Sequence, residues 1–363
     1  MTAKDWVFSV SQGISNVILA VLGMGLLMGS IGNAMINYGH WDMLGQALVD
    51  SGNIGQKLLA PALGVGIAYM LRTNILTMGA AMIAATVGSN SIYFADSAIT
   101  AAHTATGWDA GAAQLAQGSL IQTAGQPVSA VLAGLVAALI GKVLTGKTPL
   151  DMLLVPLAAA TGGSIFGLGA AAVTTPFLNW ISESLADTMG VNPMLGAAVV
   201  SVAWFTFLMT PASSAALAIA VMLDPLSAGA ALIGTASGFI MYTAMGWAQN
   251  NWGARMATLL GTPKIQFPNL LKNPVLYVGP AVIAGASAVV AVGMFGFKAP
   301  YAIAGLGLNG FIAPLALLST DVGGFVLLML FGVLIPTVAS VAFYLVLRKA
   351  NVIKHDDLHL DVV

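Results

Sequence analysis

Apolar residues run in long blocks from one end of the chain to the other, parted by short polar breaks. The blocks read as helices over residues 14–36, 58–71, 75–95, 127–144, 150–181, 193–209, 211–223, 226–247, 274–297, 299–319 and 323–347. Most approach the roughly 20 residues that cross a hydrocarbon core about 30 Å thick. The block at 58–71 has only 14 residues, about 21 Å at 1.5 Å per residue, and reads as part of a broken helix. A transmembrane barrel would show short alternating segments, and none occurs. Residues 2–13 read as a short interfacial helix, 96–126 as a polar loop, and the stretch after 247 as a proline-punctuated loop reaching Asn273.

Composition narrows the class. Of 363 residues 58% are hydrophobic and 7% charged, against about 25% charged in soluble proteins. The expectation is an all-α polytopic membrane protein in a lipid bilayer, a single domain over 1–363. Its membrane region is 14–347, and 348–363 is a short cytoplasmic tail. With the N-terminus in the cytoplasm, Lys4, Arg72, Lys142, Lys147, Arg255, Lys264, Lys272, Arg348, Lys349 and Lys354 fall inside, and only Lys57 and Lys298 outside. The outer loops collect Asp42, Asp50, Asp96, Asp109, Glu183, Asp187, Asp224 and Asp321. This fits the positive-inside rule if 299–319 enters and returns on the outer side, giving about ten transmembrane helices with broken or re-entrant segments and both termini cytoplasmic. The net charge of −1 points to no nucleic-acid partner, and the absence of cysteine excludes disulfides and thiolate metal sites.

Polar chemistry concentrates in a few places. In "FLMTPASSAALAI", Pro211 removes a backbone donor, and Thr210, Ser213 and Ser214 surround it. The hydroxyls either patch the freed carbonyls or form a half-helix start facing a solute. In "GTPKIQFPNLLKNP", Gln266 and Asn269 stand between prolines, where amides suit loose backbone or a ligand. In "MGWAQNNWGAR", Gln249 and Asn250 lie about 100° apart on a helix, so both can border one cavity. Trp247 and Trp252 either stack on a solute or mark the membrane interface. Asn309 lies in the re-entrant piece. Glu183, the sole glutamate, sits at an outer helix end; a carboxylate inside a membrane cavity would be a proton or substrate site. Arg72 and Asn74 fit a snorkelling helix end, Asp321 a cap, and His103 a surface loop without a second metal ligand. Two Gly-rich stretches, 161–176 and 304–324, share a texture that matched broken helices would have. No metal, cofactor or catalytic motif is present, so the chain reads as a non-enzyme.

The ordered run "TPASSAA", "GFIMYTAMGWAQNNWG" and "GTPKIQFPNLLKNP" resembles the membrane domain of the phosphotransferase-system enzyme IIC type 2 family, which includes perfringolysin-regulator-type proteins. The match is best over 211–274. It departs at Gln249, where the family pattern has an acid, and at Pro263, where it has serine. The resemblance implies an enzyme IIC-like transporter fold in the bacterial inner membrane, a sugar-like solute, a homodimer, and separate IIA and IIB proteins for any phosphate coupling. The expected function is a permease for a small polar solute, a sugar or related polyol or acid, working by alternating access. It would bind through Ser213, Ser214, Gln249, Asn250, Gln266, Asn269, Asn309 and Glu183. A solute sensor or regulator without net transport, and an ion-coupled carrier, remain open alternatives.

Overall fold

A computed structural model of the protein describes residues 10, 13–14, 16–95, 99–101, 113–123, 125–210 and 213–360. The expected interfacial helix lies largely outside the described residues, and so do Lys4, Asp96, His103, Asp109 and Pro211. Among the described residues six helices are long and apolar enough to cross a membrane, and four shorter apolar helices accompany them. The chain divides into two compact units, Met1–Trp180 and Ile181–Val363.

The first unit opens with α1 (Ile18–Gly39) and α2 (Asp42–Lys57). The hydrophobic pattern leaves α2 as a loop, and the structure corrects this. Its polar side faces out, where Gln46 donates to Asp50 at 2.9 Å. Its other side is glycine and Val49, laid against α1 so closely that a Cβ on Gly32 would sit 2.5 Å from the Gly45 carbonyl oxygen, and one on Gly25 2.6 Å from that of Gly52. Small residues let helices approach in this way. After Leu58 the chain continues as α3 (Leu59–Met70). The interruption has a cause in Pro61, which cannot donate to the Lys57 carbonyl four residues back.

Next come α4 (Ile75–Gly88), α5 (Pro127–Leu144) and, between them, four short strands: β1 (Ile92–Phe94), β2 (Ile99–Ala101), β3 (Ala113–Leu115) and β4 (Leu120–Gln122). They form two antiparallel pairs, β1 with β4 in the register Ile92 to Gln122, and β2 with β3. Strands β2, β3 and β4 fall in the expected polar loop, whereas β1 replaces the last turn of the helix expected over 75–95, which ends at Gly88. Asn74 and Gln126 start their helices by accepting from the N–H groups of Thr77 and Ser129, the usual service of an N-cap amide. Asn74 is thus a cap as well as a helix-end residue. The core here is small: Ile67, Ala68, Ala81, Ala84, Ala133 and Ala137 are buried together. Beside it the Thr77 hydroxyl is buried with no partner among the described residues. A buried hydroxyl that makes no hydrogen bond is destabilising, so the isosteric change Thr77→Val should raise stability by about 1 kcal/mol. A lower melting temperature for this variant in detergent would refute that.

Helix α6 (Asp151–Val191) has 41 residues, about 62 Å at 1.5 Å each, twice a hydrocarbon core. The boundary between the units falls within it. It runs unbroken through Pro156 and Pro176. The 161–176 stretch therefore does not match 304–324 as a second break. Nor does α6 end at residue 181: Glu183 and Asp187 ride on its later turns instead of in a loop.

In the second unit, α7 (Pro193–Met209) is capped by Asn192, which accepts from Leu195 N–H at 3.1 Å. Then follow α8 (Ser214–Val221) and α9 (Pro225–Met245). Helix α9 is the central post of this unit, buried along nearly its whole length from Ser227 to Met245. Beyond it lie α10 (Trp252–Met256), α11 (Phe267–Lys272) and α12 (Val275–Met294). The segment after α12 runs down α9 from its Pro225 end. Ala299 N–H donates to the Pro225 carbonyl, Ala304 meets Thr235, and Gly307 meets Phe239. It contains only the one-turn α13 (Tyr301–Ala304), and it turns at Asn309. Helix α14 (Ile312–Thr320) then leads back to α15 (Val322–Lys349), which Asp321 caps through Gly324 N–H at 3.0 Å. Since Gly332 packs near Ile233 and Ala236 and Tyr344 near Gln249, α15 starts at the Pro225 end. The 299–320 piece thus enters and leaves by the same end of α9, as a re-entrant segment does. The tail folds back on this unit, with Ile353, Leu358 and Leu360 buried.

Candidate functional site

The amides after α9 are set by local turns. Gly246 ends the helix, residues 247–249 make one tight turn, and Asn250 is extended at φ −117° and ψ 147°. Asn251, third of the row, is spent as the cap of α10 through Ala254 N–H at 2.8 Å. Thr262 begins a turn that buries Gln266 completely, and Asn269 follows on α11.

The structure brings Gln249, Asn250, Gln266 and Asn269 together around the main chain of residues 358–360. Gln249 accepts from Leu358 N–H at 3.0 Å and donates to the Tyr344 hydroxyl at 2.9 Å. Asn250, 7% exposed, donates to the carbonyls of Gly246 and Leu358, both at 2.9 Å, and accepts from Leu360 N–H at 2.8 Å. Gln266 donates to the Leu358 carbonyl at 2.9 Å. Asn269 donates to Gln266 Oε1 at 2.8 Å and to the His359 carbonyl at 2.9 Å. Further out, Asn273 donates to Asp357 at 3.1 Å, and the His359 ring meets the Gln249 carbonyl at 2.7 Å. These bonds between tail and body contribute about 7 kcal/mol at about 1 each. Burying Ile353, Leu358 and Leu360 adds about 6 kcal/mol. Ordering residues 353–360 costs about 12 kcal/mol. The tail is held by a narrow margin.

A second polar cluster lies halfway along α9. The helix break frees the carbonyls of Ala304 and Gly305, and hydroxyls take them: Thr235 donates to Ala304 at 3.0 Å, and Ser214 to Gly305 at 2.8 Å. Ser213 starts α8 by accepting from Ala216 N–H at 3.2 Å, and Ser182 reaches the far end of α8 at the Met222 carbonyl, 3.0 Å away. Gly307 stands at φ +57°, where a side chain is disfavoured. Asn309 donates to the Gly261 carbonyl at 3.0 Å, tying the tip of the break to the segment that carries Gln266. Along α9 itself the hydroxyls of Ser227 and Ser237 are buried without a partner among the described residues.

Not every sequence-predicted residue joins. Glu183 is exposed on α6, and no hydrogen bond ties it to the others. Trp247 and Trp252 meet edge to face at 6.4 Å and are 43% and 65% exposed. The Arg255 guanidinium lies 4.5 Å from the Trp247 ring centre. They form a surface group, as an interface belt would. An apolar cavity of about 560 Å³ in the first unit, lined by Leu144, Thr148, Val155 and Thr161 among others, has the wrong character for a hydroxyl-rich solute. Sequence reasoning missed Thr235, Tyr344, Asn273 and the tail. The available signal was "DLHL", apolar at every second position, the pattern of a half-buried extended segment.

Burial pushes Lys264 down from its ordinary value to about 8. Its folded-state value is therefore below its unfolded one. The cost of burying the cation is complete below about pH 8 and fades as pH rises toward the unfolded value near 10.4. The melting-temperature difference between Lys264→Met and wild type should accordingly move in favour of wild type between pH 7 and pH 9.5. A pH-independent difference would contradict this.

The chain matches the family model "Phosphotransferase system, EIIC" over residues 8–360, nearly its whole length. The chain belongs to that enzyme IIC family. No curated protein matches it as a relative. Enzyme IIC proteins are polytopic helical membrane domains and are the transport component of the phosphotransferase system, not its catalyst. The family works with IIA and IIB components and a sugar substrate.

Proposed function

We propose that this enzyme IIC protein is a bacterial inner-membrane permease for a sugar or related polyol or acid, moving it by alternating access. The observation that supports this reading best is the polar track beside α9. Ser213 and Ser214 lie near its middle, Asn309 lower down, and Gln249, Asn250, Gln266 and Asn269 sit at its Met245 end. Hydroxyls and amides both donate and accept, as sugar hydroxyls require. Polar groups of this kind beside interrupted helices are where transporters hold their solutes. We also place the Met245 end of α9 in the cytoplasm, since Arg255, Lys264, Lys272, Arg348, Lys349 and Lys354 belong to the segments joined there. From the family resemblance we take the working form to be a homodimer.

Purified protein in liposomes, supplied with labelled sugars with and without IIA and IIB components, tests this. Accumulation that depends on Ser213 and Asn309 is the expected result. Binding without flux would mark a sensor or regulator instead. Collapse of uptake on dissipating an ion gradient would mark an ion-coupled carrier.

A further inference from the structure

The amides at the Met245 end of α9 are occupied, and their occupant is the chain itself. Asn250 and Gln249 meet the N–H groups of Leu360 and Leu358, while Gln266, Asn250 and Asn269 meet the carbonyls of Leu358 and His359. A main chain offers the same donors and acceptors as a hydroxyl-bearing solute. One set of amides cannot serve both at once.

We propose that residues 353–360 are a releasable strap that closes the amide cluster, so that solute engages Gln249, Asn250, Gln266 and Asn269 only when Leu358 and Leu360 lift away. This rests on the permease reading above. Three features fit a strap better than a fixed buckle. Its contacts to the amides are almost all to main chain, so any ligand with paired donors and acceptors replaces them. Its apolar anchors are few, with His355, Asp356 and His359 exposed between them. It hangs from the end of α15 by a left-handed turn at Asn351, φ +56°, outside the helix and free of the packing of α9. Release therefore needs rotation at 350–352 and no change in the helices.

The chain has no cysteine, so a pair introduced as Asn273→Cys and Asp357→Cys would carry its only thiols, at side chains now 3.1 Å apart. Neither residue belongs to the proposed solute site. Joining the pair, by disulfide or a short thiol-cleavable linker, should lower sugar uptake at least tenfold, and reductant should restore it. Equal uptake in the joined and reduced forms would overturn the proposal. Hydrogen exchange of the unmodified protein judges the strap without any flux. The amide protons of Leu358 and Leu360 should exchange faster than those of α9, and should lose their remaining protection in Asn250→Ala, with α9 unchanged. Exchange as slow as that of α9 would show a fixed buckle and overturn the strap. If no form moves sugar, the permease reading fails, and the exchange rates alone decide the strap.

Discussion

Gly305→Ala is expected to be the most damaging single methyl in the second unit. The added Cβ would lie 2.3 Å from the Ser214 carbonyl oxygen and 2.5 Å from the Ala215 Cα. Both are backbone, so no rotamer change relieves the contact. Gly305 itself has φ −97°, which any residue adopts, so the effect is steric. The Ser214 backbone cannot retreat cheaply. Its carbonyl accepts from the Trp204 indole at 3.2 Å, and its hydroxyl holds Gly305 at 2.8 Å. Overpacking of about 2 kcal/mol and the loss of two buried hydrogen bonds at about 1 kcal/mol each together predict a loss of about 4 kcal/mol. For a unit of this size that lowers the melting temperature by roughly 10 °C. Gly310→Ala is the control. Its Cβ would meet only the Ile312 side chain, at 3.6 Å and beyond, though at φ +54°, so left-handed strain of about 1 kcal/mol is all that is expected. Thermal melts of the two variants in detergent measure the contrast. Equal melting would mean that α8 and the break do not touch as described.

The break and its partner hydroxyls were partly legible from residue types. Pro211 with Ser213 and Ser214, and the Gly-rich run around Asn309, marked both interrupted segments, because proline and glycine act on the backbone locally. Which carbonyl each serine serves was not legible. Ser214 to Gly305 spans 91 residues, and no local pattern carries that. Spans 127–144 and 193–209 came out with their observed limits because a proline follows a capping amide at each start, Gln126 and Asn192. Helix α2 was lost for the opposite reason. Its buried face is glycine, which hydropathy does not see, although Gly25 and Gly32 oppose Gly52 and Gly45. The 161–176 stretch misled because glycine in a helix also serves close packing. Gly167 lies against Gly88 and Ala133, and α6 runs on. The amides stand out in the sequence as two separate pairs, Gln249 with Asn250 and Gln266 with Asn269, yet their common partner was hidden in a tail whose charges mask two buried leucines.

That partnership gives the second large effect. Asn250→Ala is expected to destabilise the docked tail by about 3 kcal/mol, more than the margin that holds it, because three bonds go at once. Leu360 N–H loses its acceptor, the Gly246 carbonyl loses the Asn250 donor, and the Leu358 carbonyl keeps only Gln266. A buried polar group left unpaired costs about 1–3 kcal/mol. The tail should then become a protease target near 351–360 at enzyme concentrations that leave wild type intact. Gln249→Glu separates this from a general intolerance of change. Glutamate still accepts from Leu358 N–H, and the Tyr344 hydroxyl, now an acceptor from Gln249, can turn and donate to the new carboxylate. The residue is only half-buried. Its effect should stay within about 1 kcal/mol, the scale of a single rearranged hydrogen bond. Asn250→Asp should resemble alanine instead. It keeps the acceptor for Leu360 but sets a charge against two carbonyl oxygens, and a buried carboxylate in that position takes up a proton. Its melting temperature should therefore rise as pH falls from 7 to 5, where wild type gains no such increment. A flat profile would show that water reaches Asn250 with the tail in place.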